Sequence, residues 1–225
     1  MLTLLVLSAC LTFGSSSVIP KEVSSACPPE GFNSVPDFNP DAYFNGSWYP
    51  VMQSYNSYQP ADKLYCVVAT YTMQENGKVD VNNRARSGSI DGEQSGGHLV
   101  GVIPDPSDPS KAKVGPSFIP ELFYGDYWVV AIGKYADVIE GYEGESDNVY
   151  DWGVISGGLP NKETSPGKCL ADGGWQNEGF WCFSRIPEPG QDVIDAIVKA
   201  AGDLLLDTSQ LHKVVHSQDG RKCEY

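Results

Sequence analysis

A chain of 225 residues, 41% of them hydrophobic, can form one sizeable β-barrel or two small domains and has the composition of an ordinary globular protein. Its 29 Asp and Glu against 15 Lys and Arg give a net charge of −14, all carried after residue 20, which argues against nucleic acid and anionic membranes as partners. A solvated, soluble surface is the plain meaning of that charge, and it identifies no ligand.

Residues 1–13 are an apolar run leading into Gly14-Ser15-Ser16-Ser17. The run is too short for a spanning helix and suits a secretory leader, so residues 1–17 read as a signal peptide and the protein as extracellular. Leu7-Ser8-Ala9-Cys10 can also be read as a lipobox, with lipid anchoring through Cys10, but no basic residue precedes it. Beyond the leader stand Cys27, Cys66, Cys169, Cys182 and Cys223, none in the close spacing of a zinc or redox site. Secretion makes disulfides the default, and the odd count leaves one thiol unpaired or shared with another chain.

Residues 27–40 are rich in Pro, Asn and Gly and read as an extended arm, followed by one helical turn at residues 41–44. The stretch Asn45-Gly46-Ser47-Trp48-Tyr49-Pro50-Val51 then organises the chain. Gly46 lets the backbone turn sharply across a barrel end, and the Trp48 indole covers the wide apolar floor. In the strand that follows, period two puts Trp48, Pro50, Met52 and Ser54 on one face, with Pro50 pointing to a bulge.

Residues 66–73 and 78–86 flank Gln74-Glu75-Asn76-Gly77 and make a hairpin, because Asn-Gly accepts the positive φ of a tight turn. After turn-rich residues 88–97 come strands at 98–103, 111–119, 126–133, 149–156 and 179–186, with a three-proline loop at 104–109. About eight short strands at this spacing describe an up-and-down barrel over residues 46–186. Two long insertions, the acidic 134–148 and the Gly-rich 157–178 with Cys169 and Trp175, read as surface loops at a barrel end. Residues 190–206 form a helix whose stripe of Val193, Ile194, Ile197, Val198, Ala201, Leu204 and Leu205 faces the barrel. Residues 207–225 are a final extended strap.

Taken together these segments resemble a lipocalin, in particular the group of apolipoprotein D, the insect bilin-binding proteins, the crustacyanins and the bacterial lipocalins. Gly46-Ser47-Trp48-Tyr49 matches the first lipocalin motif. Ser146-Asp147-Asn148-Val149-Tyr150 resembles the second, with Ser for Thr, and Phe183-Ser184-Arg185 matches the third. CVVATYTMQENGKVDVNN, FYGDYWVVAI, GFWCFSRIPEP and LLDTSQL resemble further segments of that group, so the likeness runs from residue 27 to residue 223. It implies an all-β fold: an eight-stranded up-and-down antiparallel barrel with one C-terminal α-helix packed outside. It also implies a structural cation–π contact of Arg185 over Trp48 and a disulfide Cys66–Cys223. Pro50 departs from the usual strand residue, and Val154-Ile155-Ser156 stands where relatives carry a cysteine. Cys27 therefore takes Cys169 or Cys182, unless Cys169–Cys182 closes a hairpin of its own.

Period two groups Tyr71 with Ala69 and Val67, Asn83 with Val81 and Val79, Trp128 with Val130 and Ile132, and Trp181 with Phe183. The resemblance implies that these faces look inward, with Tyr71, Asn83, Trp128 and Trp181 lining a ligand cavity and Phe118 and Phe123 at its rim. Plain core packing accounts for each aromatic equally well, whereas an inward Asn83 amide needs a hydrogen-bond partner. An enzyme reading has little to rest on. His98, His212 and His216 are scattered, no Ser or Cys stands in a nucleophile setting, and Asp105 and Asp108 sit in the proline loop. A cavity thiol of the prostaglandin D synthase kind would fall near Cys66, which the resemblance commits to a bridge. Asn45-Gly46-Ser47 is a formal glycosylation sequon within the floor turn.

The expectation is a secreted monomer or weak dimer, without cofactor or metal, that carries a fatty acid, sterol, retinoid, carotenoid or bilin. The alternatives are a protein-interaction or defence protein acting through its long loops, and an enzyme of the violaxanthin de-epoxidase type.

Overall fold

Strand β1 (Asn45–Ser54) starts from a one-turn helix α1 (Pro40–Tyr43) that is capped by the Asn39 side chain, which accepts from the Ala42 N–H. The computed structural model describes residues 26–174 and 177–225. The leader expected at residues 1–17, the alternative of lipidation at Cys10, and Trp175 all lie outside those residues.

Seven further strands complete the barrel: β2 (Tyr65–Met73), β3 (Val79–Arg86), β4 (Gln94–Val102), β5 (Lys111–Gly115), β6 (Gly125–Gly133), β7 (Trp152–Ser156) and, after an excursion, β10 (Phe180–Ser184). Each pairs antiparallel with the next, and β10 returns to β1, so the sheet closes and the eight strands have no free lateral edge. The β2–β3 turn closes as its composition demands. Gln74 donates its N–H to Lys78 O at 2.8 Å and Gly77 to Gln74 O at 2.9 Å, with Gly77 at φ +77°. Strand β4 begins earlier than expected, at Gln94, and takes in Gly96 and Gly97. At Gly96, with φ +131°, a Cβ would lie 2.0 Å from Asn83 O, so only glycine keeps this register.

Two bulges set which side chains face inward. Opposite β10 the register of β1 slips between Pro50 and Met52. Trp48 and Pro50 point into the barrel, but Met52 and Ser54 do not join them, as strict alternation would require. Met52 pairs with Cys182 on the outer face, and Gln53, paired with Trp181, turns inward. The second bulge is on β6, which slips against β7 between Val129 and Ala131. Tyr127 and Val129 belong to the interior, whereas Trp128 and Val130 pack outside against the helix layer. Periodicity groups alternate residues but cannot say which group is inside when both are apolar.

Helix α2 (Gln191–Asp203) lays Val193, Ile194, Ile197 and Ala201 onto Val51, Val130, Trp152, Val154, Phe180 and Cys182, forming an outer core. The helix ends at Asp203 rather than residue 206. Leu205 adopts φ +61° and is exposed, and Leu206 takes the buried place, its N–H donating to Ala201 O at 3.2 Å. The 157–178 insertion is not an irregular loop. It carries a hairpin of β8 (Lys162–Ser165) and β9 (Lys168–Leu170), bonded to the arm by Cys27–Cys169 and to the chain after α2 by Thr164 and Ser165, which donate to the Asp207 carboxylate.

The strap is likewise more than extended chain. Its β11 (Leu211–Lys213) adds to β1, its β12 (Ser217–Gln218) and β13 (Arg221–Lys222) form a small hairpin, and Cys223 bonds Cys66. Cys182 is the free cysteine among the described residues and is wholly buried, and burial raises its thiol pKa far above the ordinary range.

Candidate functional site

The barrel has a sealed end and an open end. At the sealed end Trp48 is fully buried, and its Nε1–H donates to Tyr43 O at 3.0 Å. The Arg185 guanidinium lies 3.8 Å from the Trp48 ring centroid and donates to Ser47 O at 3.0 Å, Ala42 O at 3.0 Å and Tyr43 O at 3.3 Å. Gly46, at φ +89°, leaves room for it, since a Cβ there would come within 3.3 Å of Nη1. The second motif closes the same end: Tyr150 stacks on Phe38 at 6.0 Å and its hydroxyl accepts from the Asn39 N–H at 3.0 Å.

Above this floor three tyrosines form a buried hydroxyl chain. Tyr43 and Tyr127 lie 2.7 Å apart, and Tyr127 and Tyr71 lie 3.1 Å apart. Burial raises the pKa of all three well above that of free tyrosine, so they remain neutral donors and acceptors. Tyr43 and Tyr127 were not among the residues expected here. Tyr127 was missed because Trp128 beside it was assigned inward, and Tyr43 because α1 is too short to show a periodicity.

Between the tyrosines and the open end lies a cavity of about 470 Å³, within the range typical of small-molecule sites. Tyr71, Tyr127, Ala69, Val81, Leu99 and Phe183 line its apolar depth. Asn83 sits higher on β3, with a buried Oδ1 that has no hydrogen-bond partner. Near the mouth are Trp181, Val67, Ala85 and Arg84, together with Tyr58, Gln59 and Lys63 from the β1–β2 loop. The Tyr58 hydroxyl has a raised pKa, through burial first and then the proximity of Glu178 and Tyr71.

Of the six residues expected around a ligand, Tyr71, Asn83 and Trp181 meet in this cavity and the other three do not. Trp128 packs on the outer core under the Lys111 ammonium, which lies 4.8 Å from its ring centroid. Phe118 is 86% exposed on the β5–β6 loop. Phe123, expected at the rim rather than in the wall, lines a separate groove with Ile119, Pro120, Leu122 and Tyr124. The loop's apolar residues gave no sign of their depth, because a β5–β6 turn can fold over a mouth or stand away from it. The sequon residue Asn45 uses its side chain structurally, donating to Asp41 O at 2.8 Å and accepting from the Met73 N–H at 3.2 Å. Among the described residues no three His, Cys, Asp or Glu side chains gather as metal ligands, and no helix is long and apolar enough to cross a membrane.

Comparison with known proteins places this geometry. The family described as "Lipocalin-like domain" matches residues 42–152. Insecticyanin from the tobacco hornworm Manduca sexta superimposes with a TM-score of 0.55 at 17% identity, covering 88% of this chain and 89% of that one. Lobster apocrustacyanin A1 gives 0.51 at 15% identity, with 80% and 81% covered. A biogenic amine-binding protein gives 0.50 at 16% identity, with 86% and 89% covered. Among curated protein sequences none matches significantly. The three motifs, the closed eight-stranded barrel with its outer helix, and the matching family agree: the chain has the lipocalin fold, with a lipocalin-like domain matched over residues 42–152.

Proposed function

We propose that this protein is a secreted carrier, not an enzyme, and that it holds one small hydrophobic molecule inside the barrel. The observation that carries the reading is the cavity itself, closed below by Trp48 and Arg185, walled by apolar side chains and furnished with a few polar groups. Such a site binds by removing ligand surface from water, at about 25 cal/mol per Å², and orients the ligand with its polar groups. Tyr71, Asn83 and Trp181 are the ligand contacts in this reading. The unpartnered Asn83 amide favours a ligand with a hydrogen-bonding group part-way along its length. Two disulfides spanning 142 and 157 residues support an oxidising, extracellular setting. The unit spanning residues 27–225 acts as one lipocalin domain, in the group that includes apolipoprotein D and the bilin-binding proteins.

Native mass spectrometry with extraction of co-purifying ligand, together with intrinsic fluorescence titration against a fatty acid, retinol, a carotenoid and biliverdin, tests the reading. Saturable quenching at micromolar concentration, weakened in Tyr71→Ala and Trp181→Ala, supports it. An empty barrel with no response to any of the four overturns it.

A further inference from the structure

Three glycines stand on β4, and two have a structural reason. A Cβ would lie 2.0 Å from Asn83 O at Gly96 and 3.1 Å from the Val79 side chain at Gly101. Gly97 has neither constraint: its φ is not positive, and a Cβ there would meet nothing within 4 Å. A side chain fits at this position, and a strand glycine costs stability, so its absence keeps a space open. The ladder shows where the space lies. Gly97 pairs directly with Asn83, and directly paired residues share a sheet face, so it opens inward beside the Asn83 amide. Both residues line the cavity, as do the pairs on either side, Ala85 with Ser95 and Val81 with Leu99. Asn83 Oδ1 is buried there without a hydrogen-bond partner. On its other side β4 is joined to β5 only through Val100, Gly101 and Val102, because Pro116 follows β5 and has no N–H for a ladder. Among the described residues the backbone of residues 94–99 is bonded to β3 alone. Pro116, Gly125 and Asp126 line the cavity from across this gap. The cavity therefore widens sideways at Gly97 into a notch with an unsatisfied polar atom on its wall and no strand directly beyond it.

We infer that this notch is a lateral subsite for a ring or branch of the ligand that carries a hydroxyl or N–H group, and that Gly97 sets the width the barrel accepts. This rests on the carrier reading and adds the ligand's shape and the place of its donor group. A single unbranched chain fills the apolar depth over Tyr71 and Phe183 and leaves the notch to water. A hydroxylated ring fills both, removing more apolar surface from water and giving the Asn83 amide its partner.

The test compares cyclododecanol, cyclododecanone and unbranched dodecanol as competitors for bound anilinonaphthalene sulfonate. The full protein is used as wild type and as Gly97→Ala, Gly97→Leu and Asn83→Leu, with the dye's own affinity measured in each. Thermal melts establish that each variant is folded. In the wild type cyclododecanol is expected to bind about tenfold more tightly than dodecanol, and several-fold more tightly than cyclododecanone, which has no donor for Asn83 Oδ1. Gly97→Leu should weaken both ring compounds about tenfold and leave dodecanol within about twofold, with Gly97→Ala in between. Asn83→Leu should abolish the preference for the cyclic alcohol over the ketone. Equal binding of ring and chain in the wild type, equal weakening of both by Gly97→Leu, or an unchanged alcohol preference in Asn83→Leu overturns the inference while leaving the carrier reading in place. Failure of all three to displace the dye also overturns it, and the carrier reading falls with it only if the fatty acid, retinol, carotenoid and biliverdin give no response either.

Discussion

His216 in the strap donates its Nε2–H to the carbonyl of Pro50 at 2.8 Å, giving a partner to the acceptor at the β1 bulge. Because a carbonyl can only accept, the neutral ring carries its proton on Nε2, which leaves Nδ1 to accept from the Tyr225 hydroxyl. The strap, the bulge and the C-terminal residue are thereby joined through one imidazole.

Burial lowers the His216 pKa below its usual 6.5, outweighing the Pro50 carbonyl and the Glu188 carboxylate, which raise it; Lys213 lowers it further. The unfolded chain regains the ordinary value and takes up the proton first as pH falls. Stability is therefore full above about pH 6.5 and declines below it. Melting temperatures measured from pH 8 to pH 5 should fall on acidification, and the fall should shrink in His216→Gln. The carboxylate of Glu188, whose pKa is lowered first by Ser217, contributes only at more acid pH.

Arg185→Met should destabilise the protein by about 3 kcal/mol, since it removes a desolvated cation–π contact and leaves floor carbonyls without donors. Arg185→Lys should recover only part, lacking the planar fork. Gly46→Ala should cost about 1–2 kcal/mol through its φ of +89° and the crowding of Nη1. Urea unfolding measures all three, and a neutral result for Arg185→Met would remove the floor role.

The two tryptophans that sequence placed together should separate in experiment. Trp181→Ala should weaken binding of a quenching ligand about tenfold or more, because the indole lines the cavity. Trp128→Ala should leave affinity within about twofold and instead lower stability by about 2 kcal/mol, because that indole packs on the outer core. Titration and unfolding of the same two variants decide the matter.

Cys182 should not react with a thiol reagent in the native protein, being wholly buried with a raised pKa. Without residues 1–25, one thiol per chain should titrate after denaturation, because Cys27–Cys169 and Cys66–Cys223 account for the other four cysteines. Replacing Cys66 and Cys223 by serine should cost about 2–5 kcal/mol by freeing the strap.

Much of the fold was legible because it depends on local signals. Asn76-Gly77 set a hairpin turn, three prolines excluded a strand at 104–109, the apolar stripe of α2 showed its buried face, and the motifs around Trp48 and Arg185 placed the barrel's closed end. The tertiary structure decided whatever required knowing which face is inside. Met52 and Trp128 turn outward because backbone bulges reset the alternation, and a bulge shifts phase without changing the composition of the strand. Pairing of Cys27 with Cys169 rather than Cys182 was settled by where an insertion folds, which no local pattern records. The same holds for the Tyr43–Tyr127–Tyr71 chain, an encounter of side chains distant in sequence that exists only once the sheet has closed.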